Sequence, residues 1–548
     1  MNSAAAVWHS CAATLLRSSR LIPPSAVADA INEAVAPIGI EVTVYLVDRE
    51  QLALRALPRS GKPLPDPIAI DTTLPGRAFA TAQLAQSPNE PERVWLLVMD
   101  GSERLGVLEV VLPSRLAVED RAVRDGLELL ATVIGQLLVS KTPYGDTLRV
   151  TRRSRPMSPG GELLWRALPP LTCATTDMVL AAALEPCYEV GGDAFDYALD
   201  GDVLQVGIFD AVGHGLAAAL TSTLTLAAIR AARTTGLDLP AVAAAADEAI
   251  TGQFHDLRYA TAILAELDLA TGVLRYLNAG HPPAVLMRDG KVVASLDGAG
   301  RTPLGLPDQA QVADQHLQPG DRLLFYTDGI TEARDAAGRF FGLSRLLDLA
   351  ERHTAAGLPA PETLRRLSHA VLDHQQGRLD DDATLVIVEW SPDARPDELS
   401  PGHAQAELDQ PLPEPAEVAE PAEPELDPRS VTEILTFTTD TAPAPDGREV
   451  VVVHPSGVIG LAGASELERA LVSSVDDGRP RLVLDLRRVS LVDSAGLTAL
   501  LRVHYRAADQ GGWLRLVSPR SRVRRILQIA RLGQLITVHD TVEDAVLA

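Results

Sequence analysis

"LLFYTDGITEARD", residues 323–335, carries Leu323, Leu324 and Phe325 straight into Asp328-Gly329, then Glu332 and Asp335. It reads as a buried strand that ends in a tight acidic turn. A carboxylate at the end of a buried strand is costly to desolvate unless something positive meets it. The arrangement recurs. In "EVGGDAFDY" (189–197) two glycines precede Asp193 and allow a backbone that a Cβ would obstruct. In "LQVGIFDAVGHGLAAALTSTLTLAAIR" (204–230) a buried strand ends at Asp210, a Gly-His-Gly turn follows, and a helix of small residues begins. In "RLDDDATLVIVEW" (378–390) Asp380, Asp381 and Asp382 stand just before an apolar strand.

Around these stations the chain is too long for one core: 548 residues suggest several domains. With 46% hydrophobic and 22% charged residues it has ordinary globular composition. A net charge of −24 argues against a general nucleic-acid binder, which needs a basic footprint. Cys11, Cys173 and Cys187 are scattered, which favours neither a disulfide framework nor a zinc knuckle and fits a reducing compartment. The N-terminus has no basic residue before its weakly apolar stretch and makes a poor signal peptide. No run is read as approaching the roughly 20 apolar residues of a membrane helix. The expectation is a cytoplasmic protein with neither nucleic acid nor membrane as partner.

The clearest boundary is residues 397–428, with ten carboxylates, many prolines and no Lys or Arg. Such a stretch cannot bury enough apolar surface to offset its ordering entropy, so a solvated, disordered linker is expected over 392–447. A softer boundary, 141–162, is rich in Pro, Gly, Ser and Arg and reads as an interdomain connection. Three folded blocks remain, 21–140, 163–391 and 448–548, an overall multidomain α+β organisation.

In the middle block, carboxylates gathered at one place repel one another and stay ionised only around a compensating cation. All-oxygen ligation selects Mg²⁺ or Mn²⁺ over zinc or copper. Two such ions, about 3.5–4 Å apart, activate water and hold a phosphoryl group for in-line attack. The flanking text is specific. "EVGGDAFD", "FDAVGHG", "YATAILAELD", "LRYLNAGHPPAVL", "TPLGL", "LQPGDRLLFYTDGITEARD" and "DDATLVIVEW" follow in that order. They resemble the bacterial PP2C-type serine phosphatases of the SpoIIE/RsbU group. The resemblance implies an αββα sandwich with two ions, Mn²⁺ or Mg²⁺, at one end of the sheets. It places the metal-binding and catalytic aspartates on Asp193, Asp210, Asp328 and Asp381. Asp210 would bridge both ions, and the carbonyl of Ala211 would add a ligand. The Asp380–Asp382 run leaves the last ligand open by one position; Asp381 is chosen because it precedes Asp382-Ala-Thr. The implied reaction is direct hydrolysis of a phosphoserine or phosphothreonine by activated water. His214 and His281 are read as structural, His214 orienting its turn or capping backbone groups. In the resembled group the helices after Gly215 switch the site on, and the first block is expected to act through them.

The first block, with "EVTVYLVD", "LPGRAFATAQ", "RVWLLVMD" and "RLGVLEVVLP" between helices, resembles a GAF domain, a sensory or dimerising module. A hairpin is expected at Asp100-Gly101. In the last block "REVVVVHPSGVIG" reads as two short strands, and "LVLDLRRVSLVDSAGLTALL" resembles a STAS domain of anti-sigma-factor antagonists, a small α/β fold. Ser494 stands just before a helix, where it serves as an N-cap or, as the resemblance implies, as the site phosphorylated by an anti-sigma-factor kinase. The chain departs from the family at "GVIGLA", where Gly460 replaces an expected Asp. The expected substrate is a phosphorylated STAS-domain antagonist, a separate protein or the chain's own Ser494. The rival reading is a binding protein that sequesters an anti-sigma factor through its own STAS domain. A hydrolase of small phosphate esters is a further alternative.

Overall fold

The structure, a computed structural model, describes residues 3–114, 116–185, 188–189, 191–254, 258–298, 300–306, 308–377, 379, 381–392, 435–444, 448–459, 461–492, 494–517, 523–524, 527, 532 and 535–548.

The middle block is a four-layer sandwich. One antiparallel sheet runs in the order Ala313–His316, Val273–Ala279, Ala260–Asp268, Val203–Ala211, Asp193–Asp200. The other runs Lys291–Ser295, Val285–Arg288, Arg322–Tyr326, Ala383–Trp390, Met178–Glu185, Thr172–Ala174. Alternate residues such as Phe195, Ile208, Ile263, Phe325 and Val386 meet between the sheets. The opposite strand faces are covered by helices. Gly215–Thr234 and Leu239–Gln253 cover the first sheet through Leu226, Ile229 and Val242. Leu343–Ala355 and Ala360–His374 cover the second through Leu346, Leu364 and Leu367. Strands buried on both faces explain why these segments read as continuous apolar runs.

Gly215–Thr234 corrects one sequence reading, since by length and composition it is apolar enough to cross a membrane. Here it lies in the sandwich, and its Arg230 and Arg233 both pair with the buried Asp196, at 2.6 and 2.9 Å.

The N-terminal unit is a six-stranded antiparallel sheet, Ile68–Ala69, Ala53–Ala56, Glu41–Val47, Glu103–Val111, Arg93–Asp100, Ala85–Gln86, with the hairpin at Asp100-Gly101 as expected. It begins earlier than residue 21. Helix Ser3–Ser18 buries Trp8, Cys11 and Leu15 in its core. Trp8 fills the space beside Gly126, where a Cβ would come within 2.3 Å of the indole.

Residues 141–162 are likewise more than a connection. Helices Thr147–Thr151 and Pro159–Ala167 form there, the second capped by Ser158 Oγ accepting from Gly161 N at 3.0 Å and packed along Gly215–Thr234.

In the C-terminal unit Glu449–Ile459 is one long strand, not two. It pairs antiparallel with Thr436–Pro443 and parallel with Arg481–Asp485 and Arg488–Val492; Trp513–Val517 and Val538–His539 extend the sheet. Thr436–Pro443 lies inside the stretch read as linker, so that linker ends earlier than 447. Helices Leu461–Asp476, Ser494–Asp509 and Val542–Leu547 complete the unit. Ser494 opens its helix. Gly460 lies outside the described residues.

Candidate active site

Asp193 opens strand Asp193–Asp200 and Asp210 closes strand Val203–Ala211 but for one residue. The antiparallel register sets the two directly opposite each other, where Cβ atoms stand about 4.5–5.5 Å apart. The glycines before Asp193 are required by close approach. A Cβ on Gly192 would lie 2.5 Å from Ala211 O, and one on Gly191 2.4 Å from Gly215 N. The Gly192 carbonyl accepts from Ala211 N at 3.1 Å and from the hydroxyl of Ser222 on the covering helix.

Asp328 follows strand Arg322–Tyr326 after Thr327 and starts the short helix Asp328–Thr331. Thr327 fastens the two sheets together. Its hydroxyl donates to Asp193 Oδ2 at 2.7 Å and accepts from Thr384 N at 2.9 Å, and its N–H donates to Thr384 O at 3.1 Å. Gly329 presses so closely on the next strand that a Cβ would stand 1.8 Å from Asp382 O.

The aspartate run divides by role. Asp382 Oδ2 accepts from Gly191 N at 2.8 Å, Gly192 N at 2.5 Å and Asp193 N at 3.3 Å. This carboxylate holds the Gly-Gly loop. Asp381 is exposed and accepts from Asp382 N at 2.9 Å. Asp380 lies outside the described residues.

Burial, then the neighbouring carboxylates, pushes Asp193 and Asp210 well above the usual carboxylate range; Asp381 and Asp382 raise both. Asp328 is raised to about 8 by burial, then by Glu332 and Asp381. No cation stands among the main influences on these three groups. The cluster is loose. Among the described residues, no three His, Cys, Asp or Glu side chains form a ready-made metal cage. The carboxylates do sense one another's charge, and that coupling acts over longer distances than ligation does. The donor set is all oxygen and carboxylate-rich, which fits Mg²⁺ or Mn²⁺ and suits zinc or copper poorly.

His281 is fully buried, with Nδ1 2.8 Å from Thr261 Oγ1 and Nε2 3.1 Å from Tyr326 O. Burial pushes it down to about 3, so it is neutral and structural, as the sequence suggests. His214 is exposed at the N-cap of Gly215–Thr234 and its ring makes no capping bond, contrary to one role read for it. Thr327, Ser222 and the anchoring role of Asp382 were not assigned from sequence. The "YTDG" text holds Thr327, but its partners come from distant strands.

The family described as Stage II sporulation protein E (SpoIIE) matches residues 200–391, and the STAS domain matches 442–545. The first match takes in Asp210, Asp328 and Asp381 and begins after Asp193. Phosphoserine phosphatase RsbU of Bacillus subtilis is 25% identical over 212 residues, 38% of this chain and 62% of RsbU. BtrV of Bordetella bronchiseptica, named as an anti-sigma factor antagonist, is 35% identical over 92 residues, 17% of this chain and 79% of BtrV. A crystal structure of the RsbU and RsbW domains of a Mycobacterium tuberculosis protein shares 29% identity, covering 39% of this chain and 62% of that one, with a TM-score of 0.36. The chain spans about half the length of the curated phosphatase relatives it matches. Fold and site define a PP2C-type phosphatase domain joined to a STAS domain. The chain thus carries a SpoIIE PP2C-type phosphatase domain, similar to RsbU, and a C-terminal STAS domain.

Proposed function

We propose that the chain is a metal-dependent protein serine/threonine phosphatase acting in a cytoplasmic partner-switching pathway. Its substrate is a phosphorylated STAS-type anti-sigma-factor antagonist, a separate protein or its own Ser494, whose kinase is an anti-sigma factor. The carrying observation is the convergence of Asp193, Asp210 and Asp328 at one site, where burial and then neighbouring carboxylates push all three above the usual carboxylate range.

Asp193, Asp210, Ala211 through its carbonyl, Asp328 and Asp381 would hold two Mn²⁺ or Mg²⁺ ions. Such ions lower the pKa of water and neutralise phosphoryl oxygens. Asp381 is preferred to Asp382 because three N–H groups already bond one Asp382 oxygen. Thr327 fixes the Asp193 carboxylate, and Ser222 fixes the loop that delivers it. His281 is neutral and bonded through both ring nitrogens, so the leaving alkoxide takes its proton from water and not from that imidazole. The N-terminal unit is a GAF-like sensory or dimerising module. It acts on the site through helix Pro159–Ala167, which packs on the helix carrying Ser222.

The test is phosphate release from a phosphorylated STAS domain with and without Mn²⁺, using the full chain, Asp210→Asn and Ser494→Ala. Mn²⁺-dependent release lost in Asp210→Asn is expected; no release under any ion ends the proposal. The likeness to BtrV favours a second reading, sequestration of an anti-sigma factor by the STAS domain. Signalling that survives Asp210→Asn while phosphate release disappears would select it.

A further inference from the structure

Tyr259 and Leu306 are phosphatase residues, yet their buried side chains belong to the apolar core of the STAS unit, with Leu467, Leu500 and Leu527. Their neighbours turn the other way. Leu304 packs in the phosphatase core between sheet and helices, as does Ala262. Val212 joins the same STAS cluster from a partly buried position. It lies two residues beyond Asp210, and its N–H donates to Tyr259 O at 3.1 Å. One apolar patch at the lip of the carboxylate site is therefore covered by the chain's own C-terminal domain.

We propose that Val212, Tyr259 and Leu306 form a docking surface for a STAS domain, that the chain's own STAS domain occupies it in cis, and that a phosphorylated STAS protein must displace that domain to reach the carboxylates. The inference rests on the phosphatase reading and adds its regulation. The domain is covalently tethered. About 40 residues separate the two domains in the chain, and such tethering raises the local concentration of the STAS domain well above that of a free partner. An unphosphorylated domain in cis thus competes strongly, while the substrate's phosphate adds contacts at the cation site that the resident domain lacks. The enzyme is then restrained by a mimic of its own substrate and released in proportion to phosphorylated substrate.

The experiment uses the full chain with a site-specific protease sequence placed within residues 401–430. The folded protein is cut, then diluted until the pieces part. Hydrogen exchange at Val212 and Ala260 is compared before and after, with rates on a phosphorylated STAS domain and on p-nitrophenyl phosphate. Separation is expected to speed exchange at both amides and to lower KM for the STAS substrate by at least about tenfold. It should leave kcat and p-nitrophenyl phosphate hydrolysis unchanged, and adding back the excised piece should restore the higher KM. Release of phosphate with the same KM and unchanged exchange overturns the docking and leaves the phosphatase reading standing. No phosphate release in any form, with faster exchange after separation, upholds the seat and overturns competition together with the phosphatase reading. A fall in kcat on separation also overturns the proposal, since the docked domain would then be an activator.

Discussion

Asp210 is a half-buried acid facing another acid across two strands, and its environment disfavours the charged form. Asp210→Asn should therefore do two opposite things. Mn²⁺-dependent phosphate release should disappear, while the melting temperature without metal should rise, because a repelled carboxylate has gone. A fall in metal-free melting temperature would contradict the like-charge account. Thr327 tests the support of the site separately. Thr327→Val keeps the shape but leaves Asp193 Oδ2 and Thr384 N without their hydroxyl partner. Unpaired buried groups cost about 1–3 kcal/mol. Losing an outer partner of a metal ligand typically weakens metal affinity by roughly 10–100-fold. Titrating activity with Mn²⁺ and melting the variant measures both.

At the scale of elements, the site exists because a loop, a helix and two strand ends approach more closely than side chains allow. Gly192→Ala places a Cβ 2.5 Å from Ala211 O, and Gly329→Ala one 1.8 Å from Asp382 O. Both contacted atoms are backbone, so the strands must move apart. Each variant should lose Mn²⁺ affinity and lower the melting temperature, with Gly329→Ala the worse. Equal or higher stability in Gly329→Ala would show that the turn is looser than its geometry. The same closeness explains what was legible. The Gly-Gly before Asp193 and the Asp-Gly at 328–329 stand out in sequence because the backbone needs them. The Ser222 hydroxyl does not, because a Ser in an Ala/Thr-rich helix carries no local mark.

At the scale of the molecule, the N-terminal and phosphatase units meet over a charged cluster. Arg365, 2% exposed, reaches Asp71 at 2.5 Å and Glu362 at 2.8 Å, and Arg104 lies 3.7 Å from Glu362. His369 Nε2 sits 3.0 Å from Glu50 O. Burial alone would raise Glu362, but Arg365, Arg104 and Arg366 hold it down at about 2. Burial pushes Arg104 down while Arg365 is raised, so Arg365 is the principal partner. Glu362 has a folded pKa below its ordinary 4.5, so its stabilisation is complete above pH 4.5 and is lost as the pH falls from there towards 2. Melting curves across that window should show the loss, and Glu362→Gln should remove it. With buried arginines left uncompensated, Glu362→Gln should also destabilise the neutral-pH protein by roughly 3–5 kcal/mol.

The sequence by itself determined the strand ends, the aspartates upon them and the α/β pattern of the last block, because each is written in neighbouring residues: apolar runs and turn glycines. It misjudged the start of the N-terminal unit, the helices of 141–162 and the strand Thr436–Pro443, whose reasons for forming lie in partners elsewhere. Only the tertiary structure decided that Asp382 holds a loop 191 residues away in the chain while Asp381 stands exposed. It alone joined Thr327 to Asp193 and seated the STAS core on Tyr259. Such choices depend on which distant donors and surfaces arrive at a side chain after folding, and local spacing holds no record of them.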